Sequence, residues 1–327
     1  MTGPSYRHEG TVASAASADQ WSDSDPWTVL RLILWSSEYF DRKGLSSGRL
    51  DAEHLLAHVL HTGRLQLYMD FDRPLTHEEL DRFRPLLKRR ASREPLQYII
   101  GCQPFRQLEL TVQPGVLIPR PETEQLVDGV LEWFRSEEVD QPTALDIGTG
   151  TGAIALSLAA EVGARVMATD ISSVALSVAR SNAAAAELGA FVKFLEGSMF
   201  DPVPFGARFD TIVSNPPYIR EVDEVMLEPE VLDWEPREAL FSGEDGLDVI
   251  RGLVAGASGH LRPGGMLALE VGLHQAREVA LLLEDSGDYT DVRIMRDHAA
   301  IERFVFAHVG MEDEHRRAEW PLAIGDE

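Results

Sequence analysis

From residue 143 onward the chain alternates short apolar runs with helix-length segments. This alternation narrows the available folds more than any other feature. Strands are expected at 143–147, 165–169, 191–195, 209–214 and 266–271, with helices near 151–161, 172–188, 245–258 and 273–285. Strands separated by helices cannot pair as hairpins, so they form a parallel sheet covered on both faces. Two late segments, 289–295 and 301–308, have no helix between them and read as a closing antiparallel pair. The expected fold is an α/β, doubly wound, Rossmann-like sheet of seven strands.

The chain before this sheet has a different pattern. Residues 27–93 place apolar side chains at helical spacing, among them Leu30, Ile33, Leu34, Leu55, Leu56, Val59 and Leu60. Thr76 and Glu79 fit a capping box that opens a further helix. A small N-terminal helical domain follows, of a size that suits substrate recognition. Residues 94–121 read as a β-hairpin linker, with Tyr98, Ile99 and Ile100 on one side of a loop at 101–107 and Leu108, Leu110 and Val112 on the other. A Pro-rich turn then leads into a helix from about Glu122 to Ser136, so the sheet domain spans 122–308. Residues 1–26, rich in Ala, Ser and Asp, read as disordered, and 309–327 as an acidic tail.

Four segments fall at the carboxyl ends of expected strands, where open sheets bind ligands. The first is Asp146-Ile147-Gly148-Thr149-Gly150-Thr151-Gly152, between a strand and a helix. Its glycines permit positive φ and close approach of a ligand to the backbone, and the helix start beyond it offers free N–H groups. The G-x-G-x-G spacing departs from the dinucleotide G-x-G-x-x-G, which favours S-adenosylmethionine, a nucleoside without pyrophosphate. A tight strand-to-helix turn is the plainer alternative. Asp170 ends the next strand, as a ribose-binding carboxylate or as a helix cap. Ser198 and Met199 end the third, against an adenine ring or as a simple turn.

The fourth segment, Asn215-Pro216-Pro217-Tyr218, points to chemistry on an amide or amino nitrogen. Such a nitrogen is a weak nucleophile because its lone pair is delocalised. A side-chain carbonyl and a main-chain carbonyl that accept its two hydrogens fix its orientation. Asn before Pro supplies both on a stiff backbone. Two prolines after a strand also simply end it, but that leaves the flanking Asn and Tyr unexplained.

Composition sets outer limits. The net charge is −24, of which residues 1–26 carry −3 and residues 309–327 carry −4, leaving −17 on residues 27–308. Such a surface repels phosphate backbones and argues against binding of long nucleic acid. It suits a basic protein partner, and equally a general acidic adaptation, since Lys43, Lys88 and Lys193 are the only lysines. No apolar run reaches the length of a membrane span, and the single cysteine, Cys102, excludes an internal disulfide, so a cytoplasmic protein is expected. Cys102 reads as structural, the ten histidines show no metal spacing, and Glu235, Glu238 and Glu244 read as surface.

Over residues 27–308 the chain resembles the HemK/PrmC protein-glutamine methyltransferases. Four segments carry the resemblance: residues 93–101 followed by Phe105; residues 116–124; the 146–152 loop; and residues 214–219, with 235–237 and 243–247 behind them. The resemblance implies a class I methyltransferase sheet. It also implies methyl transfer from S-adenosylmethionine to the glutamine of the Gly-Gly-Gln motif in class I peptide-chain release factors, by a monomeric cytoplasmic enzyme with no metal. Asp146, Gly148, Thr149, Gly150, Thr151 and Gly152 would then hold the methionine part of the donor, Asp170 its ribose, and Ser198 and Met199 its adenine. Phe105 and the 117–124 loop would close the pocket, with Asn215 beside the donor. Asn215, Pro216, Pro217 and Tyr218 would hold the substrate, Asn215 and Pro216 orienting its amide and Tyr218 packing on the glutamine. The alternatives are a glutamine of a large-subunit ribosomal protein, an adenine amino group in nucleic acid, and an inactive donor-binding partner subunit.

Overall fold

The computed structural model describes residues 26–310 of the 327. The expected disordered extension and acidic tail therefore lie almost wholly outside the described residues. The chain divides into two compact units, at Met1–Ala91 and Ser92–Glu327.

The first unit is helical: α1 Val29–Arg42, α2 Gly48–Leu60, α3 Arg64–Met69 and α4 His77–Ala91. Thr28 caps α1 by accepting from the Arg31 N–H at 3.3 Å. Before α4 the capping box forms in both directions: Glu79 N–H donates to Thr76 Oγ1 at 3.2 Å and Thr76 N–H to the Glu79 carboxylate at 2.9 Å. Helix α2 is buried on most sides and carries charges inward. Asp51 accepts from Arg90 Nε of α4 at 2.7 Å, and both side chains are buried. Leu34 belongs to the helical spacing of α1 but faces solvent.

The second unit opens with α5 Leu96–Ile100, then a hairpin of β1 Cys102–Phe105 and β2 Leu108–Thr111. Here the structure corrects the expected linker. Tyr98, Ile99 and Ile100 are helical, although their side chains favour strands, because Pro95 starts a turn that Gly101 ends in the left-handed region. The first strand of the hairpin begins only at Cys102.

Helix α6 Pro121–Ser136 leads into the sheet: β3 Thr143–Ile147, α7 Ala153–Val162, β4 Arg165–Asp170, α8 Ser173–Ala185, β5 Val192–Glu196, β6 Phe209–Ser214. A one-turn helix, α9 Pro229–Leu232, precedes α10 Asp248–Ala257, β7 Leu261–Glu270, α11 Ala276–Ser286, β8 Tyr289–Arg296 and β9 Glu302–Val309. The seven strands lie in the order β5-β4-β3-β6-β7-β9-β8. The first five are parallel, and β9 and β8 close the edge antiparallel. This is the expected doubly wound fold with its closing pair. Strand β7 starts earlier than expected, at Leu261, because a register shift against β6 absorbs Pro263, Gly264 and Gly265.

Side chains alternate between two cores, as strand geometry requires. Ala144, Val213 and Ala268 face one core with α6 and α7. Leu145, Ile212, Leu267 and Leu269 face the other with α10 and α11.

Candidate active site

The chain leaves β3 for β4 and β5 on one side, then returns to β6 on the other. That reversal opens a crevice at the carboxyl ends of β3 and β6, which are parallel neighbours with Ile147 opposite Ser214. A cavity of about 210 Å³ fills the crevice. Its walls bring together the glycine loop, the ends of β4 and β5, and the Asn-Pro-Pro segment.

Gly148, Thr149, Gly150 and Thr151 form one wall. Gly148 and Gly150 have φ of 72° and 56°, and a Cβ built on either would meet no atom within 4 Å. The backbone there stands open to a ligand. The loop is pinned from behind by β4, since the N–H groups of Gly148 and Thr149 both donate to the Thr169 carbonyl, at 2.9 and 3.0 Å.

Asp146 and Gly152 do not line the cavity. Asp146 is fully buried and holds the loop from beneath, accepting from Thr149 Oγ1 at 2.7 Å and from the Ala155 N–H at 3.1 Å through one oxygen. Its other oxygen has no partner among the described residues, and burial pushes the carboxyl up to about 7. Gly152, at φ 84°, is the N-cap of α7, where a Cβ would press on Leu156 at 3.1 Å.

Asp170 stands on the wall, and the cap of α8 is Ser172, which accepts from the Ala175 N–H at 3.2 Å. The two Asp170 oxygens accept from the N–H groups of Gly150 and Ser172, at 2.8 and 2.9 Å. Burial holds its carboxyl above the usual carboxylate range, and nearby Glu238, also on the wall, adds to that. Ser198 and Met199 line the cavity too. Met199 turns its thioether toward Gly252 of α10, where a Cβ would come within 2.9 Å of Sδ.

Phe105 corrects the expectation placed on it. It is 1% exposed and packs in the core with α6 and α7, not on the cavity wall. Of the four residues of β1 it is the buried one.

Asn215, Pro216 and Pro217 line the cavity. Asn215 Nδ2 donates to Thr123 Oγ1 at 3.0 Å, and Thr123 Oγ1 lies 2.6 Å from Glu270 Oε2 at the end of β7. Tyr218 is not on the wall. Its ring packs against the core under α10 and its hydroxyl reaches Glu270 Oε1 at 3.5 Å. Burial raises the Tyr218 hydroxyl above its usual range, so it stays a phenol. The turn behind is held by Gln275, which donates to the Tyr218 carbonyl at 2.9 Å.

Thr123, Glu270 and Gln275 escaped the reading of the sequence as individual site residues. So did Glu235, expected at the surface. It is buried and accepts from Arg120 at 2.6 Å and from the Ile118 N–H at 3.3 Å, fixing the 117–124 segment that forms the opposite lip. The recurrence of a lone acid at the end of a strand was the available signal for Glu270.

Among the described residues no cluster of His, Cys, Asp or Glu has the arrangement of a metal site, and no helix is long and apolar enough to cross a membrane. The chain matches the model of the PrmC N-terminal domain at residues 31–101 and that of the methyltransferase small domain at residues 130–232. It is 42% identical over 285 residues to a release factor glutamine methyltransferase of Geobacter sulfurreducens, covering 87% of this chain and 98% of the relative. It is 44% identical over 259 residues to the Burkholderia pseudomallei protein of the same name, covering 78% and 90%. The catalytic domain of human METTL16, solved with an RNA hairpin, shares the fold at a TM-score of 0.51 and 16% identity, covering 70% of this chain and 82% of that one. With both family models matched in order and nearly the full length of these relatives spanned, the chain belongs to the release factor glutamine methyltransferase family and is a methyltransferase of protein glutamine.

Proposed function

We propose that this protein methylates the side-chain amide of the glutamine in the Gly-Gly-Gln motif of class I peptide-chain release factors. The observation that carries this is the meeting, in one cavity, of an open glycine loop and an Asn-Pro-Pro segment on neighbouring strands. The methyl donor is S-adenosylmethionine. The residues present fit it: open backbone at Gly148 and Gly150, and a wall carboxylate at Asp170 for ribose hydroxyls. When bound, the donor supplies an electrophilic methyl on its sulfonium.

The chain's own part is orientation. Asn215 Oδ1 and the Pro216 carbonyl accept the two hydrogens of the substrate amide and turn its nitrogen toward the methyl. Positioning of this kind is worth on the order of 7–11 kcal/mol. The same acceptors stabilise positive charge as it develops on the nitrogen. No strong base is needed, because the nitrogen becomes acidic only as it is methylated. The N-terminal helical unit selects the release factor, and the product belongs to translation termination in the cytoplasm.

The test is transfer of labelled methyl to four acceptors in parallel: a release factor, the same factor with the motif glutamine changed, a large-subunit ribosomal protein, and duplex DNA. Label on the intact release factor alone is expected. Label on the ribosomal protein would keep the chemistry and replace the substrate, and label on DNA would overturn both. Asn215→Ala should abolish transfer while leaving donor binding in place; near-normal turnover would refute the orientation mechanism.

A further inference from the structure

From the hydrogen-bond chain Glu270–Thr123–Asn215 we infer that Glu270 and Thr123 are positioning residues that set which end of the Asn215 amide faces the substrate. The inference rests on the proposed role of Asn215 as acceptor for the substrate amide.

Proton count fixes the direction of the chain. A carboxylate only accepts. Thr123 has one hydroxyl proton, and at 2.6 Å from Glu270 Oε2 that proton goes to the carboxylate, in the range of a charge-assisted O–H···O⁻ bond. The Thr123 oxygen is then free only to accept. Asn215 must offer it the NH2 group, at 3.0 Å, which leaves Oδ1 as the amide's acceptor toward the cavity. An ionised Glu270 therefore selects the amide rotamer that can receive the substrate NH2.

Protonation reverses the chain. A neutral Glu270 can donate to Thr123, whose own proton then turns to Asn215 Oδ1. The amide flips, and its NH2 confronts the NH2 of the substrate. Burial raises the Glu270 carboxyl to about 7, so the reversal falls at accessible pH. The groups facing it are Thr123 and Glu122 from α6, Tyr218 from the turn after β6 and Arg303 from β9. Thr123, Tyr218 and Arg303 favour the ionised form, and Glu122 opposes it. A cationic donor in the cavity shifts the balance further toward ionised Glu270. The sign follows: turnover is full above the Glu270 midpoint and falls as pH drops through it.

The experiment measures kcat and kcat/KM for methylation of intact release factor from pH 5.5 to 9, at saturating donor, with donor affinity followed by calorimetry. Wild type should show an acid limb with its midpoint at or below about 7. Thr123→Val should lower kcat roughly 10- to 100-fold, the worth of one misdirected hydrogen bond, with donor affinity nearly unchanged. Thr123→Ser should restore it. Glu270→Gln cannot titrate and, because its amide can donate to Thr123 as well as accept from it, no longer fixes the direction of the chain, so kcat should fall at every pH and the acid limb should disappear. A limb that persists in Glu270→Gln would assign it elsewhere, Asp146 being the other carboxyl held near 7, and would overturn the inference. So would a Thr123→Val enzyme with wild-type kcat. Absence of any methylation of the release factor by wild type would instead refute the proposed function.

Discussion

At the scale of single residues, the Asn-Pro-Pro-Tyr turn owes its shape to a residue outside it. Gly246 has φ 79°, and a Cβ there would collide with the Tyr218 carbonyl oxygen and come within 2.7 Å of Gln275 Nε2. Those two atoms form the bond that holds the turn. Gly163 provides the comparison: it also sits in the left-handed region, at φ 65°, with nothing within 4 Å of an added Cβ. Gly163→Ala should cost only the backbone strain, about 1–2 kcal/mol in denaturant unfolding, with activity unchanged. Gly246→Ala should add displacement of the turn and lower kcat/KM about 100-fold or more, since a shift near 1 Å is enough for that. Equal activity in the two variants would show that the turn is held by other contacts.

At the scale of elements, the sheet was legible because strand and helix signals alternate over most of 143–285, with no helix only between the strands at 191–195 and 209–214, and their order implies a parallel arrangement. What misled were segments whose local preference lost to a neighbour. Tyr98-Ile99-Ile100 favours a strand but is helical between Pro95 and Gly101. The glycine loop and Asn215 were legible as motifs, each being contiguous. Thr123 and Glu270 were not, because they are 147 residues apart and meet only through the placement of β7 beside β6. Glu235 shows the same limit: nothing in its local sequence tells of burial against Arg120 and the Ile118 N–H. Burial raises the Glu235 carboxyl while Arg120 opposes the shift, so the pair depends on both members. Glu235→Ala leaves a buried N–H and a half-buried guanidinium without their acceptor. It should cost about 1–3 kcal/mol of stability in denaturant melts and raise the KM for donor as the lip loosens. A stability loss with an unchanged KM would separate the lip from donor binding.

At the scale of the whole molecule, charge sets a condition on stability that no single contact reveals. The chain has 54 acidic against 30 basic side chains, so pairing can engage only part of the acids. Many arginines are already matched at the surface, such as Arg220 with Asp223 and Arg277 with Glu302. Exposed pairs of this kind contribute about 0–1 kcal/mol each, and salt weakens them. The unpaired excess acts in the opposite sense, since self-repulsion destabilises the compact state and salt screens it. The screening length falls from about 30 Å at 0.01 M to about 3 Å at 1 M, so repulsion between distant acids is lost well before contact pairs at under 4 Å. The excess should therefore win. The Tm is expected to rise by roughly 2–4 °C between about 10 mM and 0.5 M potassium chloride, equivalent to about 1 kcal/mol. A flat or falling Tm would mean that the arginine pairs carry more of the stability than their exposure suggests. A rise accompanied by falling kcat/KM toward the release factor, with kcat unchanged, would show that the same acidic surface attracts a basic face of the substrate.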